Sequence, residues 1–61
     1  MIIQIEKGKS GRFGAQIVDE TTGTKYFNLA GRYSEEYQAQ GKAERANLGL
    51  PIYSTSGVRV A

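Results

Sequence analysis

Only one segment of this chain has helical periodicity, and its apolar face is built almost wholly of alanine: Ala39, Ala43 and Ala46 recur with Leu50, with Tyr37 near the start of the stripe. Alanine buries little area, but it lets a helix axis come close to whatever it packs on, so the bulky half of any core must come from other elements. With 61 residues those elements must be few. A chain this short buries roughly 60% of its unfolded surface, and its single core yields no more than ~3 to 5 kcal/mol of net stability. The chain has no cysteine and no histidine, which removes disulfides and thiolate or imidazole metal ligands as supports. The hydrophobic fraction of 39% and charged fraction of 23% are those of an ordered domain.

The bulky residues lie in the first half. Ile3 and Ile5 alternate with Gln4 and Glu6, the period of a half-buried strand. Lys7-Gly8-Lys9-Ser10-Gly11-Arg12 reads as a turn, after which Phe13, Ala15 and Ile17 alternate with Gly14, Gln16 and Val18. Asp19 to Thr24 forms a second turn in which Gly23 supplies a positive φ, and Lys25 to Leu29 is the third strand. Ser34 ahead of Glu35 and Glu36 marks the helix start, with the hydroxyl as cap and the carboxylates on the positive end of the dipole. Gly49 and Pro51 end the helix. Ile52-Tyr53 and Val58-Arg59-Val60 flank Ser54-Thr55-Ser56-Gly57, as one bulged strand or a strand pair.

The expected fold is therefore α+β: a three-stranded antiparallel sheet packed by one helix (β-β-β-α), with a short C-terminal strand or hairpin. One domain spans residues 1–61, with the sheet over 1–30, the helix over about 34–48 and the terminal segment over 51–61. Phe13, Ile17, Phe27 and Leu29 are expected under Ala39, Ala43 and Ala46. Tyr26, Asn28, Gln16, Gln4 and Arg12 fall on the opposite, open face.

Catalysis finds little to work with. There is no cysteine nucleophile, no histidine base and no serine beside a base and its orienting partner, so neither an enzyme nor a cofactor is expected. Glu35 and Glu36 are neighbours on a helix and point about 100° apart, so they do not share a substrate. Asp19, Glu20, Thr21 and Thr22 lack the spacing of a calcium loop, and no metal site is expected. The basic turn is the most suggestive local feature, because its glycines expose backbone amides beside Lys7, Lys9 and Arg12. It is not a nucleotide phosphate loop: Lys9-Ser10 opens a strand turn, not a helix. Eight Lys/Arg against six Asp/Glu leave a net charge of only +2, a weak field for a polyanion. No apolar run approaches the ~18 residues that span a bilayer, and Met1 to Ile5 is too short and too soon charged for a signal peptide. A cytoplasmic protein without a membrane partner is expected.

The run Gly11-Arg12-Phe13-Gly14-Ala15-Gln16-Ile17-Val18-Asp19, the glycine turn, Lys25 to Leu29, and Tyr33-Ser34-Glu35-Glu36 followed by the alanine stripe form a recognisable plan. Over residues 3 to about 47 it resembles the three-stranded-sheet-plus-helix DNA-binding domain of plant ethylene-response factors and the arm-binding domains of tyrosine recombinases. Arg12, Phe13, Ala15, Ile17 and Leu29 match the basic, aromatic, helix-facing and strand-closing positions of those families. The resemblance implies a DNA-binding sheet face. Where those families carry their DNA-facing arginines and tryptophans, this sequence has Gln4, Glu6, Gln16, Val18, Tyr26 and Asn28, with Arg12 kept as the cation.

The expected function is a small non-enzymatic DNA-binding module of a phage or mobile element, contacting DNA through the open sheet face and the basic turn. The candidate contact residues are Lys7, Lys9, Arg12, Gln16, Tyr26 and Asn28. The alternatives are a phage-type inhibitor or adaptor that binds a host protein through the same face, Tyr53 or a free strand edge, and a minor structural or assembly component. Homo-oligomerisation is a further option.

Overall fold

A computed structural model describes residues 1–29 and 31–61. The chain is α+β, with one helix on an open, mixed sheet of four strands. In chain order the elements are β1 (Ile2–Lys7), β2 (Phe13–Val18), β3 (Lys25–Asn28), α1 (Glu36–Ala46) and β4 (Ile52–Tyr53). The expected sheet limit at Ala30 lies outside the described residues.

Both turns form where the glycines require them. In the first, the Gly11 N–H bonds the Gly8 carbonyl at 3.0 Å, the Gly8 N–H bonds the Arg12 carbonyl at 2.8 Å, and Gly11 has φ +82°. In the second, the Asp19 carboxylate accepts the Thr21 N–H at 2.9 Å, and Gly23 closes the loop at φ +78°. The resulting register pairs Ile3 with Ile17 and Ile5 with Ala15 across β1 and β2, so the odd-numbered residues of both strands face the helix.

The expected three antiparallel strands are present, but the terminal segment does not stand apart from them. β4 joins the opposite edge, parallel to β1, with Ile52 beside Ile3 and Tyr53 beside Gln4, to give the order β3-β2-β1-β4. The chain then turns through Ser54 to Gly57, where φ is +86°, and comes back so that Arg59 bridges Tyr53. Of the two options for the tail, it is the hairpin. Long-range side-chain bonds secure it: the Gln4 amide donates to the Ser54 carbonyl at 2.8 Å, and the Glu36 carboxylate accepts the Thr55 N–H at 2.8 Å and its hydroxyl at 3.2 Å.

The fully buried core consists of Ile3, Ile5, Ala15, Ala39, Ala43 and Ile52, flanked by the half-buried Phe13, Ile17, Leu29, Tyr33 and Leu50. Two expectations are overturned here. Phe27 pairs with Ile17 and lies on the helix-facing side of the sheet, yet it is 60% exposed. The reason is coverage: α1 packs on β2, β1 and β4 and makes no contact with β3. Ser34 is not the cap either. The N-cap is Glu35, with extended φ and ψ of −127° and 146°, and the Gln38 side-chain oxygen accepts both the Glu35 N–H at 3.1 Å and the Ser34 hydroxyl at 3.2 Å. Reciprocal capping by the third helical residue explains the shift by one position. The helix also stops earlier than Gly49, at Asn47, which takes up the left-handed conformation at φ 53°.

Ile5→Ala is expected to cost ~2 to 5 kcal/mol, enough to unfold a domain this small, because a fully buried methylene cluster is lost under a helix that cannot settle further. Phe27→Ala should cost less than ~1 kcal/mol, as at other surface positions. Urea denaturation of the two variants measures the difference.

Candidate functional site

Among the described residues no helix packs on the sheet face away from α1. Its central row runs Asn28, Gln16, Gln4, Tyr53, read across the register of all four strands. Beside that row lies a shallow groove of about 350 Å³. Gly14, paired with Glu6 and without a side chain, lies at this groove. Glycine weakens a strand, and where it appears inside one it often marks a close approach by a ligand or another backbone.

Three cations border this recess: Lys9 and Arg12 from the first turn, and Arg32 from the segment after β3. Arg32 reaches the site because the chain returns to β2 after β3, with its pairing moved by two residues between Ala15–Leu29 and Phe13–Tyr33. The Leu29 N–H bonds the Ala15 carbonyl at 2.8 Å, and Tyr33 exchanges two backbone bonds with Phe13 at 2.8 and 2.9 Å. Gln16 and Asn28 add amide groups to the rim, and Glu6 adds a carboxylate. That carboxylate is engaged, since the Lys25 ammonium bridges both its oxygens at 2.9 and 3.0 Å. The free charge around the groove is therefore positive.

Of the residues singled out from the sequence, Lys9, Arg12, Gln16 and Asn28 line the groove together. Lys7 does not. It is the odd-numbered partner of Phe13, and its ammonium lies over the Phe13 ring, 5.7 Å from the centroid, on the helix side. The period-two pattern that placed Ile3 and Ile5 on that side already assigned Lys7 to it. Tyr26 is displaced as well. The register jumps from Ile17–Phe27 to Val18–Lys25, so Tyr26 is the extra residue of a bulge, has no cross-strand partner, is 58% exposed and stays outside the groove. Arg32 is the residue that sequence reasoning missed. No alternation in the sequence locates it, because the pairing with β2 shifts by two residues between Leu29 and Tyr33.

Away from the groove, the Met1 amino group is 2.9 Å from the Glu20 carboxylate, and that hydrogen bond holds the Glu20 carboxyl below the usual glutamate range. A lowered carboxyl pKa favours the folded state above its ordinary value, and the contribution is lost as pH falls through the folded value. Solvent exposure of both partners keeps this contribution small.

Among the described residues no helix is long and apolar enough to cross a membrane. Comparison with protein-family models, with curated proteins and with solved structures finds no match. The groove thus stands on its own chemistry: spaced cations and amide donors around Gly14, suited to phosphate and other oxyanions.

Glu6→Gln tests whether the ion pair is structural. With Lys25 about half exposed, the pair should contribute less than ~1 kcal/mol, and a urea melt of the variant should show a change no larger than that.

Proposed function

We propose that this chain is a small non-enzymatic DNA-binding module that sets its open sheet face against the duplex. Lys9, Arg12 and Arg32 meet phosphate oxygens, while Gln16 and Asn28 face the base edges. The observation that carries this reading is the convergence of three cations and two amides around Gly14, on the sheet face opposite the helix. Each part has a physical role. The cations position the protein on the backbone without reading sequence, and amide side chains are the groups that pair bidentately with adenine in the major groove. A sheet is one of the elements that groove admits. The resemblance of residues 3 to about 47 to sheet-based DNA-binding domains points the same way. The revised contact set exchanges Lys7 for Arg32 and leaves Tyr26 at the margin.

Three phosphate contacts make a weak, salt-sensitive binder. The slope of log affinity against log salt would be near −2.7, at ~0.9 per contact, so raising salt from about 50 to 200 mM would cost about 40-fold in affinity. Fluorescence anisotropy with a labelled mixed-sequence duplex, over a series of salt concentrations, tests this. The triple change Lys9→Gln, Arg12→Gln and Arg32→Gln should flatten the slope by up to about 2.7, whereas Lys7→Gln should leave it as it is. A triple variant with the parental slope would overturn the reading. A parent that shows no duplex binding at the lowest salt would favour the alternative of a protein target on the same face.

A further inference from the structure

The two edges of the sheet are finished differently. On the β4 side the returning tail occupies the edge: the Ile52 N–H donates to the Ala61 carbonyl at 3.1 Å, and the Ile52 carbonyl accepts the Val60 N–H at 2.8 Å. Just beyond β4, the Ile5 carbonyl is taken by the Gln4 side-chain amide at 3.0 Å. On the other side, nothing among the described residues pairs with the outer edge of β3, and all four of its residues are exposed. This edge is also apolar on the helix side. The row Ile52, Ile3, Ile17, Phe27 crosses the whole sheet, starts in the core and ends in solvent at an aromatic ring that is 60% exposed.

We propose that the β3 edge joins two copies of this chain, antiparallel, about a two-fold axis through Phe27. The backbone is set for it. The Leu29 N–H bonds inward to Ala15, so by strand alternation the Asn28 N–H points outward, free to donate to the Tyr26 carbonyl of the second copy. Phe27 then faces its own counterpart as a non-hydrogen-bonded pair, the arrangement in which cross-strand side chains come closest and aromatic pairs contribute most. Charge permits the register, because the only charged residue of β3 is Lys25. It falls opposite Leu29 rather than another cation, and its ammonium is already drawn across the open face to Glu6.

A two-fold axis perpendicular to the sheet puts both helices on one side and both open faces on the other. The Ile52 to Phe27 row continues into the second copy. Because Asn28 lines the groove, the two grooves adjoin on one continuous surface. The assembly is expected to close at two, since the returning tail occupies the β4 edge of each copy. A four-residue strand with a bulge gives an interface at the small end of the size classes, so the dimer should be weak and dependent on concentration.

The pairing rests on the edge and not on the DNA reading, so its test contains no nucleic acid. Sedimentation velocity from about 10 μM to about 1 mM, the range in which so small an interface assembles, should show the mass rising from one to two chains. Phe27→Asp should remain a monomer throughout while keeping the parental circular dichroism and melt. Asn28→Pro, which removes the outward donor but no bond to β2, should do the same. A parent that stays monomeric at the highest concentration overturns the proposal. So does a dimer insensitive to both variants, or growth beyond two chains. Loss of duplex binding with the dimer intact would refute the DNA reading alone.

Discussion

The contact between Ala39 and Ala43 of α1 and Ile3, Ile5 and Ala15 of the central strands governs the rest of this structure. It accounts for five of the six fully buried hydrophobic residues. Two alanine methyls facing a third at Ala15 leave no bulk between helix and sheet, so the helix axis comes in close and the isoleucines fill the space on either side. In so small a chain there is no second core to compensate. The same closeness limits how far the helix can reach: an eleven-residue helix seated on β1 and β2 spans to β4 on one side and stops short of β3 on the other.

Coverage then decides which surfaces are left for function. The side of the sheet away from the helix keeps polar residues at every position of its central row, and the Gly14 recess opens beside them. The β4 side is closed by two long-range ties, Gln4 to Ser54 and Glu36 to Thr55, which fasten the tail to the sheet and to the start of the helix. Glu36 is thus more than a first-turn charge. Its carboxylate also satisfies the backbone of a loop that joins the chain nineteen residues later.

Much of this was legible from the residues, for a physical reason in each case. The two hairpins follow from glycines at positions that need positive φ, and the strand faces follow from alternation that the register preserves. The alanine stripe identified the helix and the kind of contact it makes. What failed depended on distances between elements that alternation does not encode. Phe27 has the parity of a core residue, but parity states a face and not whether anything covers it. β4 is only two residues long, and its parallel pairing with β1 has no local signature. Ser34 and Glu35 compete for one cap, and the winner is set by where Gln38 folds back. At the candidate site, Lys9, Arg12, Gln16 and Asn28 were recoverable because a turn and two alternating strands fix them. Arg32 was not, because it depends on a two-residue shift in the pairing with β2 between Leu29 and Tyr33, which alternation does not encode.

The net charge of +2 misleads for the same reason. A sum over the chain weighs every ionised group equally, whereas a ligand meets only those on one face. Five of the six carboxylates are placed away from the groove or tied locally: Asp19 accepts the Thr21 N–H, Glu20 holds the Met1 amine, Glu36 holds Thr55, Glu35 caps the helix, and Glu44 accepts the Gln40 amide one turn back. Glu6 does border the groove, but Lys25 neutralises it. The local balance at Gly14 is therefore more positive than the total suggests. Three cations remain a small number for holding a polyanion, because each phosphate contact adds only about one to the salt exponent. A face of this strength gains most from being doubled, since the second of two linked contacts forms at a high effective concentration. The edge of β3, unpaired among the described residues and next to Asn28 in the groove, is where the fold leaves room for that doubling.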